Sequence, residues 1–179
     1  GGRSPILDIT NAQAKALENA LNQSAEEQKS RRAEVENLQN SELTDSPIHR
    51  FTHSPLFKVY VGMRYWHPLI EDVIPQIYND GIRKLIGLSL YPQYSLATSG
   101  SSLSKFREAA SKHYTEAEVF CTPSWYDHPL YIKALVDVIK NGIESFNSKL
   151  QTPNSELNVH VLFSAHSLPE KFIDEGDPY

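Results

Sequence analysis

The chain has 179 residues, of which 40% are hydrophobic and 22% charged, with a formal net charge of −5; this is the make-up of one globular domain, or of one domain with part of another. The acidic balance and the absence of a long basic run exclude a surface that tracks nucleic-acid phosphates, and a single cysteine, Cys121, excludes an internal disulfide or a cysteine-held cluster. No apolar run approaches the roughly 18 residues that span a bilayer, and no signal peptide is visible.

In chain order, Ile9, Ala12, Ala16, Leu17, Ala20 and Leu21 recur near a 3.6-residue period and predict a helix over 9–23, with Asp8 or Thr10 as its cap. Residues 24–54 are rich in Gln, Asn, Ser, Glu and Arg and predict a solvated helix extension followed by a loop, the alternative being a partner-binding arm. "FKVYVGMRY" (57–65) predicts a strand. "LIEDVIPQIYNDG" (69–81) predicts a helix interrupted by Pro75 and closed by Gly81. "KLIGLSLYP" (84–92) predicts a second strand, 101–112 a helix with Leu103 and Phe106 on one face, and "EVFCTPS" (118–124) a third strand. Residues 129–146 predict an amphipathic helix opened by Pro129. "QTPNSE" (151–156) reads as a linker, and "NVHVLFSAH" (158–166) as a fourth, buried strand. This alternation predicts an α/β fold: a Rossmann- or flavodoxin-like parallel sheet covered by helices on both faces.

Ligands of such sheets bind beyond the carboxyl ends of the strands. Arg64, Tyr65, Trp66 and His67 follow the first strand; Tyr91 and the Thr98-Ser99-Gly100-Ser101-Ser102 turn follow the second; Trp125, Tyr126, Asp127 and His128 follow the third; His166 ends the fourth. Four parallel strands would bring these clusters to one rim. A rim of aromatics, hydroxyls and one arginine suits a large, flat, mostly apolar ligand bearing a few carboxylates, and imidazoles suit a borderline metal such as Fe(II). Several of these residues also have simpler roles. His67 before Pro68 fits a helix cap, and Arg64 fits one half of an ion pair. "TSGSS" fits either a phosphate loop or a plain turn into a helix, without the glycine spacing and lysine of a P-loop. His49, His53, His113 and His160 read as loop or core hydrogen-bonders.

"FSAHSLPEKFIDEGDPY" (163–179) resembles the signature of the ferrochelatases, in which a strand ends in S-A-H-[SG]-[LV]-P and G-D-P-Y follows. "GGRSP" (1–5), "YVGMRYWHP" (60–68), "LYPQYSLATSGSS" (90–102) and "PSWYDHP" (123–129) resemble further segments of that family, in the same order. The resemblance implies a chelatase-like α/β protein of two similar lobes with a tetrapyrrole cleft between them, inserting Fe(II) into a porphyrin to make haem. Residues 1–150 would form the first lobe, with 24–54 as an insertion, and 151–179 the linker and opening strand of the second.

By the same resemblance, His166 is the cleft histidine that binds metal or accepts pyrrole protons. Ser4, Arg64, Tyr65, Tyr91, Thr98 and Ser99 line the porphyrin pocket, and His128 takes a secondary catalytic role. Fe(II) enters as substrate and no prosthetic group is implied; Leu96 stands where some animal members carry a cluster-ligating cysteine, so no iron–sulfur cluster is expected. The implied partners are a porphyrin and Fe(II). A bacterial cytoplasmic location is implied, or a plastid one, with peripheral membrane contact through an N-terminal lip that this chain lacks. Two alternatives stay open: a chelatase for coproporphyrin or another tetrapyrrole, and a fragment that binds porphyrin without turnover. The second lobe of the family carries a carboxylate opposite the histidine, so the 179 residues alone are expected to be inactive.

Overall fold

A computed structural model describes residues 4–39, 56–149 and 160–179. The expected loop over 40–54, the linker over 151–156, and His49 and His53 lie outside the described residues. The chain divides into two compact units, Gly1–Ile77 and Tyr78–Tyr179.

In the first unit, helix α1 runs from Ile6 to Gln39. It includes the predicted 9–23 helix and continues through the charged stretch as a solvated extension. Residues 57–65 do not form the predicted strand; the one bridge there is an isolated parallel pair, Met63 with Leu69. The physical reason lies in α1, whose side chains occupy the backbone groups that a neighbouring strand would take. The Asn22 amide donates to the Phe57 carbonyl (3.0 Å) and its oxygen accepts the Phe57 N–H (2.9 Å), while Glu18 accepts the Val59 N–H (2.7 Å). The spacings match. Residues i and i+4 of a helix are offset by about 6 Å along its axis, and residues i and i+2 of an extended chain by about 6.6 Å. One helix face thus serves two successive inward-facing positions.

Helix α2 (Ile70–Asn79) buries the stripe Ile70, Val73, Ile74 and Ile77, the i, i+3, i+4, i+7 pattern of a one-sided helix. The expected interruption at Pro75 does not occur. Pro75 sits on the exposed side, and the buried stripe continues on both sides of it.

In the second unit, β1 (Lys84–Gly87) pairs in parallel with β2 (Glu118–Cys121), from Lys84 opposite Glu118 to Gly87 opposite Cys121. Helix α3 (Ser101–His113) makes the crossover. The core comprises Leu85 from β1, Leu103, Ala109 and Ala110 from α3, and Tyr114 just beyond it. This is an α/β arrangement, but the sheet is covered on one face only: Ile86 and Phe120 are 64% and 55% exposed. Helix α4 (Pro129–Lys149) forms as predicted, yet Leu130, Ile132, Leu135, Val136 and Val138 remain exposed, so it does not supply the second cover.

The predicted fourth strand is also corrected. Residues 160–166 make no ladder among the described residues, and Val161, Leu162 and Phe163 are 48%, 94% and 75% exposed. Apolar sequence there expresses a preference for burial that no neighbouring strand satisfies. The chain then forms a short helix, α5 (Glu170–Asp174). No helix among the described residues is long and apolar enough to cross a membrane.

The contact between α1 and the extended segment is testable. Asn22→Ala leaves both backbone groups of Phe57 without their side-chain partners and should destabilise the chain by about 1–3 kcal/mol in urea unfolding. Gln23→Ala, on an exposed position, should change it by less than about 0.5 kcal/mol. Equal effects would mean that Asn22 is dispensable.

Candidate functional site

In the first unit, Ser4 accepts the Ile6 N–H at 3.4 Å and so opens α1. The Arg64 guanidinium lies 5.0 Å from the centre of the Tyr65 ring, a cation–π distance. Tyr65 is 75% exposed. His67 faces Asp72 at 3.9 Å across the first turn of α2, which fits the helix-start role. A cleft of about 450 Å³ in this unit is lined by α1, Val59–Val61, Pro68 and α2, and holds none of the sequence-predicted site residues.

In the second unit, a mostly apolar cleft of about 480 Å³ opens beyond the carboxyl ends of β1 and β2, between Leu88 and the segment Thr122–Pro129. This is where an open parallel sheet places a ligand. The expected rim of four strands reduces to these two. Trp125 fixes the cleft wall: its ring N–H donates to the Ser89 carbonyl (3.0 Å), its backbone N–H to the Pro92 carbonyl (2.9 Å), and its ring meets Tyr131 edge-on at 5.0 Å. His128 lines the same cleft, and its Nδ1 accepts the Leu130 N–H at 3.3 Å, capping α4. Tyr91, which follows β1 and Leu88 in sequence, is exposed, and its N–H donates to the Ser89 hydroxyl. Cys121 ends β2, half-buried; burial pushes its thiol up, partly opposed by Arg107, so it is no ready nucleophile.

The Thr98-Ser99 turn is a single π-helical turn, Leu96–Gly100, running directly into α3. Three of its backbone donors and the first of α3 are occupied locally. Ala97 donates to the Ser95 hydroxyl, Thr98 and Gly100 to the Ser95 carbonyl, and Ser101 to the Thr98 carbonyl. Gly100 is glycine because a Cβ would meet the Tyr94 hydroxyl at 2.8 Å and the Ser95 carbonyl oxygen at 3.0 Å. The Ser99 hydroxyl accepts from the Ser95 N–H and donates to the Gln93 carbonyl. The first N–H of the turn, that of Leu96, goes to a carboxylate from the far end of the chain: Asp177 Oδ2, at 2.7 Å. That oxygen also accepts the Ser95 hydroxyl at 2.8 Å. Of the two readings of "TSGSS", this favours the turn. The anion at the helix start is the protein's own.

Asp177 and Ser95 are the residues that the sequence reading missed. Asp177 is 4% exposed and Ser95 1%. Gly176 (φ +89) donates to the Ile173 carbonyl and Asp177 to the Phe172 carbonyl, the paired bonds of a Schellman motif that ends α5 and turns the chain toward Ser95. The "GDPY" segment carried the signal for this, a glycine just past a helix followed by an acid. Burial raises the Asp177 pKa, but hydrogen bonds from the Ser95 hydroxyl and the Leu96 and Tyr179 N–H groups outweigh it, and the carboxyl is held below its ordinary value. His166 is exposed, eleven residues before Asp177. Among the described residues, no three His, Cys, Asp or Glu side chains gather as a metal site.

Residues 38–179 match the ferrochelatase family. The chain is similar over its whole length to ferrochelatases of Geotalea daltonii (37% identity, 44% of that protein), Picosynechococcus (37%, 38% of that protein) and Synechocystis (35%, 38% of that protein). It thus spans less than half the length of these curated relatives.

The lowered Asp177 pKa has a definite sign. The stability it contributes is present above the unfolded-state pKa and is lost as pH falls through the folded-state value. Unfolding midpoints of the wild type and Asp177→Asn should differ near neutrality and converge in acid, over about pH 5 to 2. A gap that stayed constant across that range would show that ionised Asp177 makes no contribution.

Proposed function

The chain belongs to the ferrochelatase family, and on that premise we propose that the full-length protein inserts Fe(II) into a porphyrin, protoporphyrin IX, with release of two protons, as a lyase of haem biosynthesis. The match of residues 38–179 to the family carries this reading. The named relatives are bacterial, and the reading places the enzyme in the cytoplasm with peripheral membrane contact. The family's two-lobe architecture is part of the same proposal.

The substrate is a flat macrocycle whose two pyrrole N–H protons must leave as the metal enters, and its acidic side chains need cationic or hydroxyl partners. Arg64 supplies the cation, and Tyr65 and Tyr91 supply exposed aromatic faces for the ring. Ser4 and Thr98 supply hydroxyls. Ser99 acts by shaping the turn, because its hydroxyl proton already goes to Gln93. The two histidines take different parts. Nδ1 of His128 accepts an N–H, so its neutral imidazole carries the proton on Nε2 and presents a donor. His128 therefore suits an acidic group of the porphyrin. His166 is left to accept a pyrrole proton or to hold the incoming Fe(II); one nitrogen cannot do both at once. Bending the macrocycle to expose its nitrogen lone pairs costs on the order of 1–5 kcal/mol, drawn from binding elsewhere on the ring.

In the full-length protein, His166→Ala should lower Fe(II) insertion by at least about 100-fold while porphyrin affinity, read by fluorescence quenching, stays within about threefold. Retained turnover would make His166 structural. Porphyrin binding without turnover in the wild type would favour a binding protein, and preference for coproporphyrin a different substrate. Arg64→Ala should weaken porphyrin binding by about 10–100-fold, the loss of a charged hydrogen bond. Unchanged affinity would leave Arg64 as one half of an ordinary ion pair.

A further inference from the structure

We infer that Asp177 is a positioning residue that couples the segment bearing His166 to the turn bearing Thr98 and Ser99. The consequence for catalysis rests on the chelatase reading; the coupling itself does not.

Among the described residues, no sheet supports the His166 segment. Residues 160–168 make no ladder and no backbone–backbone hydrogen bond among the described residues, and Val161, Leu162 and Phe163 are exposed. What fixes this part of the chain lies downstream. Helix α5 closes in its Schellman motif, Gly176 reverses the backbone, and Asp177 is delivered to a buried position 82 residues in sequence from its partner Ser95. Both carboxylate oxygens are occupied: Oδ2 by the Ser95 hydroxyl and the Leu96 N–H, Oδ1 by the Tyr179 N–H.

At the other end, Ser95 organises the whole π turn. Its carbonyl holds Thr98 and Gly100, its hydroxyl holds Ala97, and its N–H holds Ser99. A shift of Ser95 therefore moves the hydroxyls after it. One carboxylate thus joins two segments to which the family resemblance gives parts in the ligand site, the imidazole and the hydroxyl turn. A charge-assisted, buried, multiply bonded contact is suited to hold such a join, because each hydrogen bond restricts a different direction.

The test measures the join directly. In a Cys121→Ser background, spin labels at Ser167→Cys and Ser104→Cys report the distance between the His166 segment and α3. Wild-type contacts should give one narrow distribution. Asp177→Asn and, independently, Ser95→Ala should each broaden it, whereas Asp174→Asn, on an exposed position of α5, should not. Circular dichroism confirms that each variant keeps its helices, and Ser95→Ala decides the matter should Asp177→Asn lose them. An unchanged distribution in a folded variant of either residue overturns the coupling.

In the full-length protein, Asp177→Asn should lower kcat for Fe(II) insertion by about 10–100-fold, the scale of a misplaced catalytic group. Porphyrin affinity should stay within about threefold, and Asp177→Glu should recover part of the rate. A broadened distribution with unchanged kcat overturns the positioning role. A wild-type protein that metallates no porphyrin overturns the chelatase reading instead, while the distance measurement still decides the coupling.

Discussion

The second unit depends on a carboxylate placed at the start of a helix. Asp177 takes the position that a bound anion takes at other helix N-termini, accepting the amide of Leu96 and the hydroxyl of Ser95. Two features make it effective. Gly176 allows the left-handed backbone that aims it, and burial removes the competition of water for its oxygens. The signature "GDPY" therefore has a physical content separate from chemistry on a ligand: the glycine turns the chain and the acid holds it.

Much of the remaining apolar surface is not buried. Ile86 and Phe120 on the bare sheet face, the apolar residues of α4, and Val161–Phe163 are all exposed. Full burial of one such side chain is worth about 1.5–3 kcal/mol. Apolar side chains exposed in this number are available for further contacts, and the curated relatives are more than twice the length of this chain. The core that is complete, from Leu85 through Leu103, Ala109, Ala110 and Tyr114, is small and local.

Helices were readable in the sequence because their period is an intrinsic property of one segment: Ile70, Val73, Ile74 and Ile77 announce a buried stripe whatever lies against it. The paired strands over 84–87 and 118–121 were readable for a related reason, since short apolar runs flanking a crossover helix find each other. The segments 57–65 and 160–166 were misread because apolar residues report a preference for burial and do not report whether a ladder partner is present. In the first, Glu18 and Asn22 took the partner's place; in the second, nothing among the described residues did. The cleft beyond β1 and β2 lies where strand polarity puts a ligand, and His128 lines it. The Asp177–Ser95 join was hidden because its two ends lie 82 residues apart, and no local pattern in either end names the other.

The contact of α1 with residues 57–59 has a consequence for solubility. An extended segment with bare amides and carbonyls is a template on which another chain can add a strand, the first step of aggregation. Glu18 and Asn22 cover Phe57 and Val59 with side-chain groups that a second backbone would have to displace. The helix thereby sheathes the extended segment against self-association.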